Sequence, residues 1–289
     1  MTKSVALPSI AVPARYNYVA AFLTFACNLK CPYCINHYQE KIIRRPSLSA
    51  KEWARGLNRL MTRPDLPITF QGGEPSLHPD FIELIQLLKP ELPVDILTNL
   101  QFDIDDFIRR VRPERLKRDA PYASIRVSYH PQTMAFEPLL EKVLKMTDAG
   151  FSVGIWSVKH PQDEDILKKA QGRCRERGID FRFKEFLGEY QGKLYGTYKY
   201  QGSCEKKFRK KVSCRTSELL MDPAGQVYRC HADLYAGKNP VGDICDPTFA
   251  IEDVFRPCDI YGFCNPCDVK LKTNRFQKFG HTSVEIHPL

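Results

Sequence analysis

Long apolar runs are missing from this chain of 289 residues, and so is anything that reads as a secretory leader. Residues 1–15 are broken by Pro8 and Pro13 and hold no continuous apolar stretch. The apolar run that follows, residues 18–27, is about ten residues long, half of the ~20 that a membrane-spanning helix needs. Internal repeats at solenoid periods and low-complexity tracts are absent as well. Wholesale disorder is excluded by composition, since 43% of residues are hydrophobic and 11% aromatic. A closed disulfide framework is excluded because the 11 cysteines are odd in number and unevenly spread. The expectation is a soluble, cytoplasmic protein whose cysteines stay as thiols for metal binding or catalysis.

What is present divides the chain in two. Apolar runs at 19–26, 67–71, 93–98, 123–129, 152–158 and 180–186 read as strands, and most are followed by amphipathic sequence. Ser49-Ala50-Lys51-Glu52 is a capping box that opens a helix expected to run through Met61. Leu140, Val143 and Leu144 keep helical spacing, and Gly150 stands where a helix C-cap is wanted. Residues 163–177 close on Gly178 in the same way. Strand–helix alternation predicts an α/β fold with a parallel sheet, the site lying at the C-terminal ends of the strands. Six such units are too few for an eight-stranded barrel, leaving a partial barrel or an open sheet. Beyond about Tyr190 the alternation stops. There 217–221 and 226–231 flank the turn Asp222-Pro223-Ala224-Gly225, a hairpin signature.

The first cysteine cluster carries the chemistry. Cys27, Cys31 and Cys34 follow the first predicted strand within eight residues. Soft thiolates so spaced suit an iron–sulfur cluster, zinc or copper(I), and three ligands rather than four leave a metal position open. Gln71-Gly72-Gly73-Glu74-Pro75 follows the second strand. Paired glycines admit close backbone approach to a ligand, and a carboxylate beside them can hold an ammonium group.

Together these motifs resemble the radical S-adenosylmethionine (SAM) superfamily over about residues 16–190. The resemblance implies a partial (β/α)6 barrel over 17–190, after an N-terminal extension of 1–16. It implies a [4Fe-4S] cluster on Cys27, Cys31 and Cys34, with the open iron chelating SAM. Tyr33 would lie by the adenine, and Gly72, Gly73 and Glu74 near the methionine amino group. Thr98, Asn99, Arg126, Ser128 and His130 occupy places from which family members reach the ribose or carboxylate. The implied reaction is reductive cleavage of SAM to a 5′-deoxyadenosyl radical, with a flavodoxin- or ferredoxin-type electron donor as partner.

The second cluster narrows the subclass. Cys214 and Cys230 lie on the two sides of a hairpin, and Cys258, Cys264 and Cys267 follow. Spacing alone leaves a four-thiolate zinc site and a [4Fe-4S] centre both open. The pattern resembles the SPASM and twitch auxiliary-cluster domains, which implies a domain over 191–289 with a second [4Fe-4S] cluster on Cys214, Cys230, Cys264 and Cys267, Cys258 being the substitute. Such a cluster would accept an electron and allow net oxidation. Redox-neutral epimerisation would instead need a hydrogen donor, for which Cys174, Cys204 and Cys245 are candidates.

About sixteen residues precede the first strand, too few for a peptide-recognition module. The chain ends His287-Pro288-Leu289, unlike the Gly-Gly terminus of the molybdenum-cofactor cyclase. The expected substrate is therefore a small polar metabolite, and oxidation or dehydrogenation the expected reaction. Candidate contacts at strand ends are His130, Lys159, His160, Lys184, Glu185 and Tyr190. The alternatives are a radical SAM peptide-modifying enzyme and a non-catalytic zinc and RNA-binding protein. The net charge of +9 and the run 206–211 favour the latter, but a charge run of that length reads as a solvated face. Neither nucleic acid nor membrane is an expected partner.

Overall fold

The computed structural model describes residues 7–37, 46–274 and 277–289, so residues 1–6 of the segment considered as a leader lie outside the described residues. Six strands form the framework: β1 (Tyr18–Thr24), β2 (Ile68–Gly72), β3 (Val94–Thr98), β4 (Ile125–Tyr129), β5 (Val153–Lys159) and β6 (Phe181–Glu185). They pair in parallel and in sequence order, as alternating strand and helix demand. The crossovers carry α1 (Ala50–Leu57), α2 (Phe81–Leu87), α3 (Ile104–Arg110), α4 (Phe136–Asp148) and α5 (Glu164–Glu176). The architecture is the expected α/β one, and each strand lies within two residues of its sequence-based bounds.

Strand alternation separates two faces. On β1, Val19, Ala21 and Leu23 enter the core under the helices, while Ala20 and Phe22 point to the opposite face. The same parity holds on β4, where Ile125, Val127 and Tyr129 pack outward and Arg126 and Ser128 face a cavity.

Local signals explain most helix ends. The capping box forms: Ser49 caps α1 and the Glu52 carboxylate accepts from the Ser49 backbone. Positive φ values of 91° at Gly150 and 70° at Gly178 follow α4 and α5. The expected run of α1 to Met61 is corrected, since the helix stops at Leu57 and Asn58 caps it. Arg59 is the physical reason. Its buried guanidinium donates to the carbonyls of Pro8 (2.8 Å), Ile244 (2.9 Å) and Asp246 (2.7 Å), and Leu60 and Met61 pair with Ile10 and Ala11.

The cysteine-rich portion does not stand apart from the barrel sheet. It supplies β7 (Lys210–Thr216), β8 (Glu218–Met221), β9 (Gln226–Tyr228), β10 (Gly242–Asp243), β11 (Arg256–Tyr261) and β12 (Val284–Pro288), with short helices α6 (His231–Ala236) and α7 (Pro266–Val269). Strand β8 pairs in parallel with β1, and β9 and β10 continue the sheet to nine strands. Leu220, Tyr228, Leu234 and Tyr235 pack on Ala20 and Phe22. The sheet is thus continuous across the expected boundary at Tyr190. Strands β11, β7 and β12 form a separate antiparallel sheet.

Candidate active site

A cavity of about 1170 Å³ opens over the strand ends and along the face opposite the helices. Cys27, Cys31 and Cys34 line it from the loop after β1. That loop is held by the paired glycines. Gly73 N–H donates to Thr24 O and Glu74 N–H to Ala26 O, both at 2.8 Å. A Cβ on Gly72 would lie 2.0 Å from Thr24 O, and one on Gly73 2.1 Å from Ala26 O. The close approach that these glycines permit is therefore to the cysteine loop itself. Asn36 continues the tie, donating to Gly72 O at 2.8 Å while accepting from the Tyr235 hydroxyl at 2.6 Å.

Glu74 is buried, and burial raises its carboxyl pKa. Its oxygens accept from Ser76 N–H (3.1 Å), Ser76 Oγ (2.7 Å), Thr98 Oγ1 (2.7 Å) and Asn99 N–H (2.7 Å). These bonds oppose the effect of burial. The carboxylate is thereby fixed between the ends of β2 and β3 at the cavity wall. Asn99 in turn donates to Asn28 Oδ1 at 2.7 Å, reaching back into the cysteine loop.

Tyr33 is held by aromatic contacts. Its ring stacks on His160 (centroids 5.2 Å apart, planes 23° apart), and its hydroxyl lies 3.2 Å from His130 Nδ1. Burial lowers the His130 pKa to about 4, with the Lys184 charge adding, so this imidazole is neutral near pH 7. Cys31 Sγ lies 3.6 Å from Thr133 Oγ1. Burial raises the Cys27 and Cys31 thiols while hydrogen bonds from Leu29 N–H and Thr133 oppose it.

The other sequence-derived candidates separate by depth. Ser128 and His130 on or after β4, and Lys159 and His160 at the end of β5, line the cavity with Thr98 and Asn99. Arg126 sits deeper, on Asp95 Oδ2 at 3.2 Å. Lys184 and Glu185 also line the wall, whereas Tyr190 packs behind it, edge-on to His160. Sequence reasoning missed Tyr122, Trp156, Arg182, Lys270 and Lys272, all on the lining. Strand parity would have found Trp156 and Arg182, which pair in register and lie two residues from Val158 and Lys184. Lys270 and Lys272 follow the last cysteine pair too closely for any period to flag them.

Four of the remaining thiols share a second cavity. Cys214, Cys230, Cys258 and Cys264 line one small cavity with Arg229 and Asp268, whereas Cys267 lines the large one. A hydrogen bond between Cys214 and Cys258, with burial adding, raises the Cys214 thiol, and the same bond lowers Cys258 against the opposing effect of burial. Cys174 is buried on the core face of α5, Cys204 is buried in the C-terminal core, and Cys245 contacts Glu52 O; none lines either cavity. In the basic run, Lys207 pairs with Glu205 at 3.1 Å, while Lys206 and Arg209 lie over the Phe263 ring.

A parallel sheet with three thiols on the loop leaving its first strand, braced by a Gly-Gly-Glu segment from the second, defines a thiolate-cluster enzyme of the α/β barrel class. The chain belongs to the radical SAM superfamily, whose family profile matches residues 22–180. This family uses a [4Fe-4S] cluster and SAM, and the soft donors gathered at the cavity fit that group. The chain is 23% identical over 189 residues to a GTP 3′,8-cyclase of Aliarcobacter butzleri, covering 62% of this chain and 58% of that one. It is 32% identical over 217 residues to a probable GTP 3′,8-cyclase of Methanocella arvoryzae, covering 68% and 65%. It thus spans less than two thirds of either relative's length. Over 80 residues it is 38% identical to a PqqA peptide cyclase of Rhodopseudomonas palustris, covering 27% of this chain and 20% of that one. Among solved structures, native anSMEcpe with bound AdoMet superposes with a TM-score of 0.53 at 15% identity, over 79% of this chain and 78% of that one. That likeness is one of fold. No described helix is long and apolar enough to cross a membrane.

Proposed function

We propose that the chain removes a hydrogen atom from a small polar metabolite bound in the large cavity and completes an oxidation of it. Cys27, Cys31 and Cys34 would hold a [4Fe-4S] cluster, which with SAM would supply the hydrogen-abstracting chemistry, and a second cluster would supply an electron acceptor. The protein's part is placement and exclusion of water. The brace from Gly72 and Gly73 fixes the cysteine loop against the strand ends. Glu74, through Thr98 and Asn99, sets the wall against which the amino and carboxylate groups of SAM would rest. Tyr33, stacked on His160, offers a flat surface to an adenine.

For the second cluster we assign Cys214, Cys230, Cys258 and Cys264 as ligands, within a C-terminal portion taken as 191–289. The carrying observation is that these four thiols line one small cavity while Cys267 lines the other. An electron donor of the flavodoxin or ferredoxin type and a cytoplasmic setting belong to the same proposal.

A second reading, modification of a peptide, is favoured by Phe183 and Phe279, exposed apolar rings on the cavity lining. The deciding experiment is anaerobic purification, iron and sulfide analysis, and assay for 5′-deoxyadenosine with SAM and a reductant. About eight irons per chain, with cleavage abolished in Cys31→Ala, would support the proposal. Zinc without iron would sink it.

A further inference from the structure

The floor of the large cavity gathers positive charge that the neighbouring carboxylates balance only in part. Arg126 on β4, Lys184 on β6 and Lys270 just after α7 all line it, and the three cations lie within electrostatic range of Lys184. Lys184 and Lys270 make no ion pair or side-chain hydrogen bond with any described residue. Arg126 shares Asp95 with Arg118, which takes both carboxylate oxygens at 2.7 and 2.9 Å, and Arg126 Nε is buried without a partner among the described residues.

The nearby carboxylates have other partners as well, although Glu185 and Glu218, with the Cys267 thiol, favour the Lys270 charge. Glu218 is salt-bridged to Lys272 at 2.6 Å, Glu185 accepts from Thr197 Oγ1 at 2.7 Å, and Glu74 holds its hydrogen bonds at the opposite wall. Burial and the neighbouring cations pull Lys184 down to about 7. Half-buried cations on one cavity wall disfavour one another, and an anion bound among them relieves that cost. Beside them stand the Trp156 and Tyr122 rings, the latter under the Arg126 guanidinium at 5.4 Å.

We propose that Arg126, Lys184 and Lys270 form an anion-holding subsite, and that the substrate enters with a phosphate or carboxylate group directed at it. The inference rests on the reading that this cavity takes the substrate. It narrows that substrate from polar to anionic, and the adjoining rings give a flat apolar body somewhere to lie. Arg126 suits a planar, two-oxygen grip, whereas the lysines act as point charges.

The test is titration calorimetry on anaerobically prepared, iron-loaded protein with inorganic pyrophosphate in one arm and malonate in the other. Binding of either anion, weakened at least tenfold in Lys184→Met/Lys270→Met and kept in Lys184→Arg, supports the subsite, and the arm that binds names the group. Iron content and melting temperature of the variants establish that they are folded and loaded. Failure of both anions to bind at millimolar concentration overturns the proposal, as does binding that the double variant leaves unchanged. Calorimetry of wild type with SAM stands apart: if SAM does not bind the iron-loaded chain, the functional reading fails; if only the anions fail, the subsite alone is lost.

Discussion

The backbone N–H of Asn99 donates to Glu74 Oε2 at 2.7 Å, joining the end of β3 to the segment after β2 inside a buried wall. Removing one donor from a buried carboxylate leaves a desolvated charge under-satisfied, at a cost of about 1–3 kcal/mol. Thr98→Val deletes the 2.7 Å bond to Oε1 and should lower stability by that order, read as a drop in denaturation midpoint at constant slope. Thr98→Ser keeps the hydroxyl and should recover most of it. Loss in Thr98→Ser with none in Thr98→Val would show that the methyl, and not the hydrogen bond, matters.

Iron stoichiometry separates the five candidate ligands among the C-terminal cysteines. Because Cys258 shares the small cavity and Cys267 does not, Cys258→Ser should reduce iron from about eight to about four per chain. Cys267→Ser should leave iron near the wild-type value. Mössbauer or EPR spectra of the reduced protein would report the same difference without any substrate. The opposite ranking would return the fourth ligand to Cys267.

The sequence made the parallel framework legible because its apolar strand runs alternate with amphipathic helical stretches. Ser49, Gly150 and Gly178 each announced a helix end through a local rule. The cysteine loop was legible for the same reason, since a metal site dictates residue type and spacing together. Arg59 was not, because it works through carbonyls of residues 244–249 that are distant in sequence and carry no side-chain signal. The pairing of Glu218–Met221 with β1 was equally hidden: a four-residue apolar strand fits a free hairpin and a sheet extension alike. Of the cavity wall, strand ends could be named from sequence. The depth of Arg126 and the arrival of Lys270 depended on that same long-range pairing.

Two histidines make the fold acid-sensitive. Burial holds His130 and His281 at about 4 in the folded chain, against about 6.5 when unfolded. Above pH 6.5 both states hold them neutral and neither contributes. As pH falls from 6.5 towards 4 the unfolded chain takes up protons that the folded chain refuses, so stability is lost. The slope approaches about 1.4 kcal/mol per pH unit for each histidine. Denaturation of the anaerobic protein between pH 7.5 and 5.5 should show this fall. In His281→Gln, where the amide can still reach Ser217, the slope should be roughly halved.

Arg59 supplies the most demanding test of how the C-terminal portion is joined to the barrel. Its side chain is almost wholly buried and meets carbonyls only: Nε reaches Pro8 O, while the terminal nitrogens reach Ile244, Asp246 and Pro247. A planar fork with five N–H groups can satisfy carbonyls lying in several directions, and an ammonium on a flexible stem cannot occupy the same positions. Arg59→Lys therefore keeps the charge but strands carbonyls and buries a poorly solvated ammonium. A loss of about 2–4 kcal/mol is expected, at the upper end of what single substitutions cause. Because the bonds tie α1 to residues 244–247, local opening should precede global unfolding. Hydrogen exchange in Arg59→Lys should speed up first in residues 241–249 and in the Ile10–Met61 pairing. Uniform acceleration across β1 to β6 would instead mean that Arg59 stabilises the barrel as a whole.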